Sequence, residues 1–462
     1  MKDTTVASFD TSVPAVLVRL DRNPFHHGTL GAVRSLGRAG ITVHAVIESA
    51  RSPVARSRYL HTGHPRPDNR VSDDGPRATA ADEREELHGL LLRISERLGT
   101  PAVLVPLDDL SAISVARLRP RLTGRYLLPE QPSGLPERVA DKAELAEICA
   151  TLGLPHPRTA VPGDSAEAAR AAWTLGLPVV AKWSRPWLLP QGSGLRSTVV
   201  VRSPREAREL FGRGAEAGSR LLLQEMLPRG RDLDWFFHGY SGGDGTLLGA
   251  TGRKERSWPV AAGLTAVGRW LPNPTVERLA GEVIAALGYR GIVDLDFRLD
   301  AATGAYHLLD FNPRPGAQFR LFTDPAGTDV VRALHLDLTG RPVPPLVPAH
   351  GRTFVVEHYA VLSALSSAGR RKRGHAKTRR IRPAGTEAAW FARDDPRPAY
   401  AMTAAWLLHA ARGSVRRLRL RARPSAGLPG DARAPRSLLS GVRQRRRAPE
   451  PAADSTTPPV PR

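Results

Sequence analysis

The stretch GIVDLDFRLDAATGAYHLLDFNPRPG, residues 291–316, decides the fold that the sequence predicts. Two strand-like runs flank the turn AATG, so the chain reverses there as a β-hairpin. Asp296 closes the first strand, and Asp310 and Asn312 lie two residues apart on the returning strand, which directs both side chains to the same face. The pattern therefore brings two carboxylates and one carboxamide together.

These three side chains are candidate metal ligands. Mg²⁺ prefers hard oxygen ligands, takes few of them from protein, and completes its shell with water and phosphate oxygens. The hairpin thus predicts one or two Mg²⁺ ions, or Mn²⁺ in their place, that bridge a nucleotide triphosphate. Taken alone, the segment from Asp310 to Pro313 is equally typical of a turn in which Asp310 and Asn312 bind nothing.

A lysine and a Gly-rich loop are candidates for phosphate binding. Lys182 ends the apolar run LPVVAK, and ten residues later Gly192, Ser193 and Gly194 form a flexible loop. A point charge together with exposed backbone N–H groups is one way to hold phosphates. The loop lacks the G-x-x-x-x-G-K pattern, and Gly-rich hairpins are more often turns than nucleotide loops.

Two further segments are open to two interpretations each. Lys142 follows the helix cap Asp141 and is either a second phosphate contact or a solvated helix residue. The strand LLLQEMLP, residues 221–228, turns polar at Gln224 and Glu225. Its end either offers backbone groups to an adenine edge or belongs to an ordinary core strand.

Strands and helices alternate along most of the chain. Residues 15–47 read as strand, Gly-bearing loop, helix and strand, which is the βαβ unit of a parallel sheet. With a helix over 85–98 and a strand over 102–106, the first 130 residues predict an open α/β domain. From residue 137 the alternation predicts an α+β body, and it ends after the Pro-rich segment PVPPLVP that follows Arg341.

Composition bounds the class of protein. At 462 residues the chain exceeds what one core organises, so roughly two to four domains are expected. The single cysteine, Cys149, excludes an intrachain disulfide framework and fits a reducing compartment. The sequence shows no signal peptide and no run of the about 20 apolar residues that cross a bilayer, which predicts a soluble, cytoplasmic protein.

Taken together and in this order, these residues resemble the ATP-grasp superfamily, in particular its predicted carboxylate-amine ligases of the ATP-dependent carboligase type. The resemblance covers about residues 14–327. It implies ATP and Mg²⁺ as cofactors, with Asp296, Asp310 and Asn312 as the metal ligands. The implied nucleotide-binding residues are Lys142, Lys182, Gly192, Ser193, Gly194, Gln224, Glu225, Met226 and Asp232.

The sequence departs from the family pattern in two places. The second metal acid is commonly Glu in the family, whereas this chain has the shorter Asp310. The segment after the hinge, RGRDLDW, is more basic than usual, which leaves Asp232 or Asp234 as the acid that contacts the ribose.

The resemblance also implies a fold class. We expect an α/β and α+β multidomain protein with an N-terminal Rossmann-like (pre-ATP-grasp) domain, a two-lobed ATP-grasp fold, and a basic, partly disordered C-terminal extension. On the first βα loop, His26, His27 and Gly28 would help to shape the substrate site; otherwise the His pair is a surface or structural feature. The implied parts are 1–130 (N-terminal domain), 137–225 (small lobe), 226–345 (large lobe with the metal site) and 346–462 (extension, disordered from about 424).

The implied activity joins a small-molecule carboxylate to an amine. The carboxylate attacks the γ-phosphate of ATP, and the amine then displaces phosphate from the acyl phosphate. Lys142, Lys182 and the metal ions neutralise the charge on the transferred phosphoryl group, and Arg314, Arg253 and Lys254 hold the carboxylate or the intermediate. The alternative for Arg253 and Lys254 is a solvated surface role. A kinase that stops at the phosphorylated product would use the same cleft, and a homo-oligomer is compatible with either.

The net charge of +22 is concentrated at one end of the chain. Residues 347–462 contain 24 Lys and Arg against 7 Asp and Glu, which gives +17. This tail offers a rival function as a polyanion-binding protein with salt-dependent affinity, although it has no motif for reading a specific nucleic acid. The apolar stretch 399–411 beside an Arg-rich run predicts either peripheral contact with an anionic membrane or a plain packing helix.

Overall fold

The structure is a computed structural model that describes residues 7–66, 80–190, 193–228, 230, 232–259, 264–367 and 385–421. The chain divides into two units, Met1–Leu408 and His409–Arg462, and the three sheets lie in the first. The predicted disorder from about residue 424 falls outside the described residues. In the part of the chain that is described, no helix is both long and apolar enough to cross a bilayer.

The first sheet is parallel and follows the βαβ pattern predicted over residues 15–47. Its elements are β1 (Ala15–Val18), α1 (His27–Arg38), β2 (Val43–Ile47), β3 (Thr62–Pro65), α2 (Ala80–Leu98), β4 (Ala102–Pro106), α3 (Asp109–Leu122) and β5 (Tyr126–Leu127). The strand order is β3-β2-β1-β4-β5, so it reverses between β1 and β4, where open α/β sheets bind ligands. At this point the Asp108 carboxylate accepts hydrogen bonds from the backbone N–H groups of Leu20 (2.6 Å) and Asp21 (2.8 Å), which joins the loops after the two strands.

The second sheet is antiparallel, with four strands in the order β6-β9-β7-β8. The chain segment that contains this sheet has the elements α4 (Leu135–Ala140), α5 (Lys142–Thr151), β6 (Thr159–Ala160), α6 (Ser165–Leu175), β7 (Val179–Trp183), β8 (Thr198–Val201), α7 (Pro204–Phe211), α8 (Gly214–Ala217) and β9 (Leu221–Glu225). Asp141 caps α5 as predicted, because its carboxylate accepts hydrogen bonds from the N–H groups of Ala143 and Glu144.

The third sheet has seven strands in the order β14-β13-β10-β11-β12-β15-β16 and contains the predicted hairpin. Its elements and helices are β10 (Asp234–Ser241), β11 (Leu247–Trp258), β12 (Leu264–Trp270), α9 (Pro274–Ala286), β13 (Gly291–Leu299), β14 (Tyr306–Asn312), α10 (Val330–Leu338), β15 (Thr353–Val355), α11 (Glu357–Ser367), β16 (Thr386–Ala388) and α12 (Arg397–Arg421). One apolar core extends from this sheet to the first, and it includes Leu17, Phe236 and Trp390.

Residues beyond 346 contribute to the first unit, which the sequence pattern did not indicate. β15 pairs with β12, and β16 pairs with β15, at one edge of the third sheet. Trp390 is fully buried, and the buried guanidinium of Arg34 donates a 3.0 Å hydrogen bond to the carboxylate of Asp395. These contacts make residues 385–408 a part of the packed fold.

Candidate functional site

The centre of the site is the pairing of β13 with β14. Asp296 lies directly opposite Asp310, and Asp294 lies directly opposite Asn312. Residues that oppose each other in an antiparallel pair have Cβ atoms roughly 4.5–5.5 Å apart on one face of the sheet. The register therefore confirms that Asp296, Asp310 and Asn312 converge, and it adds Asp294 to the same face.

Lysines from three different elements neutralise the two facing carboxylates. Lys142, the first residue of α5, forms an ion pair with Asp310. Lys182 on β7 places its Nζ 3.5 Å from the same carboxylate and 3.3 Å from the carbonyl oxygen of Leu309. Lys254 on β11 lies 2.8 Å from Asp296. The site thus brings Lys142 and Lys182 together, as predicted, and pairs Lys254 with a predicted metal ligand.

Burial and these contacts shift the pKa values of the charged groups. Burial favours a neutral Asp310, but Lys142 and Lys182 outweigh it and hold the pKa of this carboxyl well below its usual range. Burial lowers the pKa of Lys182, and the positive charge of Lys142 adds to that effect. Burial raises the pKa of Asp296, with the negative charges of Asp294 and Asp310 in the same direction. Asp310 is therefore the more firmly ionised of the two facing acids.

Arg314 and Asp294 form a second charged group beside the first. The guanidinium of Arg314 donates hydrogen bonds from Nε to Asp109 (3.0 Å) and from Nη1 to Asp294 (3.0 Å). Asp109 begins α3 at the switch point of the parallel sheet, so Arg314 links the first sheet to the third. The Nε2 atom of His238 lies 2.9 Å from the other oxygen of Asp294, although the two atoms are not oriented as a hydrogen bond. His238 and Arg314 together hold the pKa of Asp294 below its usual range against the effect of burial.

The donor set fits Mg²⁺. In the described part of the chain, no three His, Cys, Asp or Glu side chains form a metal site by themselves. Mg²⁺ needs only one or two carboxylates when water and phosphate supply the remaining oxygens. Asp296 and Asp310 each form an ion pair with a lysine ammonium group, which indicates that both positions favour a bound positive charge. Asn312 adds a buried carboxamide, whose Nδ2 donates a 3.1 Å hydrogen bond to the carbonyl oxygen of Asp294.

The loop predicted to cover phosphates forms a turn next to the second sheet. Gly192 lies outside the described residues. The Ser193 hydroxyl donates to the carbonyl oxygen of Pro190 (2.8 Å), and Gly194 has a positive φ of 73°, which favours glycine. The structure thus describes a turn here, and a phosphate contact by this loop stays a prediction.

The predicted adenine hinge lies at the end of β9. The side-chain Nε2 of buried Gln224 donates to the hydroxyl of Thr159 (2.9 Å) on β6. The carboxylate of Glu225 accepts a hydrogen bond from Nε of Arg158 (2.7 Å), and the backbone N–H of Glu225 donates to the carbonyl oxygen of Arg158 (2.9 Å). Met226 is the first residue beyond the strand and is half-buried. These hydrogen bonds fix the end of the strand, and adenine binding by this segment stays a prediction.

Two predicted site residues lie apart from the acidic pair. Successive strand residues point to opposite faces, so Arg253 faces away from the side on which Lys254 contacts Asp296. Arg253 instead contacts Asp232 (3.2 Å), the residue predicted to bind ribose, and lies 5.9 Å from the ring centre of Trp235. The structure does not bring Arg253 to the acids, and a catalytic role for it stays a prediction.

The first βα loop lies beside the segment that carries Arg314. A Cβ atom on Gly28 would stand 2.9 Å from the Cα of Ala317, so only glycine lets the two segments approach this closely. His26 caps α1, since its Nδ1 accepts the N–H of Thr29 (3.2 Å). The other histidine of the pair, His27, is buried, and burial lowers its pKa to about 3. His27 and Gly28 thus lie in the first turn of α1 and not on the loop, His26 caps this helix, and a role of the three residues at a substrate site stays a prediction.

Sequence reasoning missed two residues of the site. Asp294 had a signal, because it lies two residues before Asp296 and so shares its face. His238 had none, because its contact with Asp294 depends on the pairing of β10 with β13, which local sequence does not specify.

Comparison with solved structures identifies the fold. The biotin carboxylase domain of the 2-oxoglutarate carboxylase from Hydrogenobacter thermophilus, solved with MgADP, ADP and bicarbonate, has a TM-score of 0.53 and 18% identity, over 72% of this chain and 71% of that chain. The N5-carboxyaminoimidazole ribonucleotide synthetase from Thermus thermophilus has a TM-score of 0.52 and 17% identity, over 72% and 80%. The chain has the ATP-grasp fold. The biotin carboxylase from Campylobacter jejuni, solved with a β,γ-ATP ligand, has a TM-score of 0.53 and 14% identity, over 72% of both chains.

The resemblance stated from the sequence is confirmed at the level of this ATP-grasp fold, within a mixed α/β multidomain architecture. No protein-family model matches the sequence, and neither does any curated protein.

Proposed function

We propose that this chain is an ATP-dependent carboxylate-amine ligase that activates a carboxylate as an acyl phosphate and forms a C–N bond. One observation carries the proposal. Asp296 and Asp310 face each other across β13 and β14, with Lys142 and Lys182 on the same carboxylate, in a fold shared with enzymes solved with MgADP or a β,γ-ATP ligand.

The nucleotide would lie between the second and third sheets. Lys182 on β7 of the second sheet and Lys142 at the start of α5, a helix that packs against β14, both reach Asp310. Two ammonium groups at one carboxylate give more positive charge than that carboxylate needs, and phosphate oxygens are the natural second acceptor. The backbone beyond Glu225 would contact the adenine edge, and the turn at Ser193 and Gly194 would cover the phosphates.

The residues that would hold Mg²⁺ or Mn²⁺ are Asp296, Asp310 and Asn312. When bound, the metal neutralises the phosphate oxygens and polarises the γ-phosphoryl group. The chain supplies an ionised Asp310, because its two lysines keep the pKa of this carboxyl low. Lys254 would neutralise the charge of the Asp296 carboxylate when no metal ion is bound to it.

The reaction would run in two displacements. A carboxylate oxygen of the substrate attacks the γ-phosphorus, an O–P bond forms, and the bond between the γ-phosphorus and the β–γ bridging oxygen breaks to release ADP. The amine nitrogen then attacks the acyl carbon, a C–N bond forms, and phosphate leaves as the amine loses its proton to solvent. Lys142 and Lys182 stabilise charge on the transferred group, and Arg314 orients the carboxylate from its anchors Asp109 and Asp294.

The finer organisation belongs to the same proposal. The parallel five-stranded sheet would be the Rossmann-like domain within residues 1–130. The small lobe would cover 137–225 and the large lobe 226–345, with residues 346–462 as a basic extension whose first part packs on the fold. We also propose that the enzyme acts in the cytoplasm.

The test is release of ADP and formation of an amide. The full chain is incubated with MgATP and pooled carboxylic acids and amines, ADP is measured by a coupled assay, and the product is identified by mass. We expect ADP release to depend on both a carboxylate and an amine. Combined substitution Asp310→Ala and Asn312→Ala should abolish it, whereas His307→Ala on the same strand should not. Wild-type ADP release from the double variant would refute the metal site, and an accumulated phosphorylated product without amide would identify a kinase.

A further inference from the structure

A cavity of about 610 Å³ lies beside the proposed site, between α3, the segment that joins β5 to α4, and the beginning of β13. Cavities that bind small molecules have volumes of about 300–1,000 Å³. The wall is mainly apolar and includes Leu104, Ile113, Leu128, Ile292 and Leu334. None of the lysines or metal-binding candidates of the acidic pair belongs to this wall, so the cavity is separate from the space assigned to the nucleotide.

Arg314 connects the cavity with the proposed chemistry. It lines the cavity and also belongs to the charged group with Asp109 and Asp294. Its hydrogen bonds to described residues use Nε and Nη1, and none of them uses Nη2. A guanidinium N–H group in the wall of an apolar cavity can donate a hydrogen bond to a carboxylate on an apolar body.

One further wall residue has an unused polar atom. The side-chain Oε1 of Gln131 is buried and accepts no hydrogen bond from any described residue. The other charged wall residues are already paired: Arg117 with Glu137, and Arg119 with the backbone carbonyl oxygen of Pro129. A buried acceptor without a donor is costly, and a ligand with an N–H or O–H group would satisfy it.

The cavity reaches the protein surface. Its wall includes the exposed residues Arg117, Pro120, Ser133 and Gly134. A ligand can therefore enter from the surface at these residues and place its carboxylate at Arg314.

We propose that this cavity binds the apolar body of the carboxylate substrate. The substrate class is an arylalkyl or branched alkyl acid with one N–H or O–H donor near the carboxylate. The carboxylate contacts Nη2 of Arg314, and the donor contacts Oε1 of Gln131. This inference rests on the proposed ligase function, and it names the acid that the ligase activates.

The first experiment measures binding without nucleotide. N-acetylphenylalanine and N-acetylglycine share the carboxylate and the N–H donor and differ by a benzyl group; each is titrated into the full chain by calorimetry. We expect N-acetylphenylalanine to bind at least about 100-fold more tightly, since a single methylene in an apolar pocket is worth roughly 10–200-fold. Ala116→Trp, at a half-buried wall position on α3, should remove that difference, and Ala166→Trp, exposed at the start of α6, should retain it. Equal binding of the two acids by the wild type overturns the proposal.

A second variant keeps the test valid if Ala116→Trp unfolds. Gln131→Leu removes the acceptor and keeps a similar shape. This variant should bind N-acetylphenylalanine about tenfold or more weakly than the wild type does. Its affinity for 3-phenylpropionate, which has no N–H group, should be unchanged. Equal weakening of both acids contradicts the assigned hydrogen bond.

The third measurement separates this inference from the ligase function. Each acid is incubated with MgATP and hydroxylamine, which traps an acyl phosphate as a hydroxamate. Hydroxamate from N-acetylphenylalanine, lost in Ala116→Trp and retained in Ala166→Trp, supports the substrate pocket. Hydroxamate from small acids alone overturns the pocket and leaves the ligase function intact. Tight binding without hydroxamate from any acid overturns the ligase function.

Discussion

Replacing Asp294 by Asn removes one negative charge from the site and keeps the shape of the side chain. The carboxylate of Asp294 is buried and lies 3.0 Å from Arg314 and 2.9 Å from His238. It also accepts a 3.3 Å hydrogen bond from the carboxamide of Asn312. The substitution therefore weakens the anchor of the residue that would orient the carboxylate, and it leaves Asp296 and Asp310 in place, although it removes a negative charge that raises the pKa of Asp296.

The expected loss of stability follows from the contacts that remain. Removing one partner of a buried ion pair costs about 3–5 kcal/mol, because it leaves the other charge without compensation. Arg314 keeps Asp109 at 3.0 Å and its side chain is 20% exposed, so the loss should be smaller. We expect about 2–3 kcal/mol. ADP release should fall more than nucleotide binding, since the proposed function assigns Arg314 to the substrate and Lys142 and Lys182 to the phosphates.

Urea unfolding followed by tryptophan fluorescence and by circular dichroism measures the first effect. A free energy is defined only if the two transitions coincide; otherwise the shift of the midpoint is compared. Asp164→Asn is the matched control, because Asn caps a helix as well as Asp does and the exposed Asp164 contacts no group of the site. An unchanged midpoint together with unchanged ADP release in Asp294→Asn would refute the role assigned to this carboxylate.

Three further predictions concern packing, pH and phosphate binding. Gly316→Ala should strongly destabilise the fold, because its Cβ would lie 2.3 Å from Cε1 of His238, whereas Gly243→Ala meets no atom within 4 Å; thermal melts compare the two. Burial lowers the pKa of His358 to about 4, so below pH 6.5 the unfolded chain takes up a proton that the folded chain excludes, and stability falls as the pH drops from about 6.5 to 4. Between pH 7 and 5 this proton uptake lowers the free energy of unfolding by about 2 kcal/mol. His358→Phe should show a correspondingly smaller shift of the urea midpoint over the same pH range, and an equal shift in both proteins would contradict the prediction. Lys182→Met should weaken ADP binding about 10–100-fold by calorimetry with little change in midpoint, because burial disfavours the charge of Lys182; unaltered ADP affinity would remove Lys182 from the phosphate site.

The features that the sequence predicted well are local in the chain. The hairpin over 291–316 needs only a two-residue period and a turn, and these place Asp310 and Asn312 on one face. The Asp141 cap is likewise set by residues two and three positions away. Because such features depend on near neighbours, one sequence is enough to place them, and it is their order along the chain that resembles the ATP-grasp superfamily.

The features that the sequence did not predict depend on distant pairing. The contact of Lys254 with Asp296 requires β11, β10 and β13 to lie side by side in one register. The strands β15 and β16 are three residues each, too short for a period to show. Nothing in the sequence favoured Arg253 or Lys254 as the residue near the acids. Only the structure shows that Lys254 lies on the face of the sheet that carries Asp296 and that Arg253 lies on the opposite face.

The packing of residues 385–408 determines how far the chain can be shortened. The Pro-rich segment after Arg341 looks like the end of a domain, yet a chain cut there would lose β15 and β16 and would expose the edge of β12. It would also remove Asp395, the ion-pair partner of the buried Arg34. The uncompensated charge of Arg34 in the core would then destabilise the fold. The smallest chain expected to fold on its own therefore ends no earlier than Leu408. A genetic truncation near residue 345 would report on folding, and only a deletion beyond Leu408 would isolate what the basic tail does.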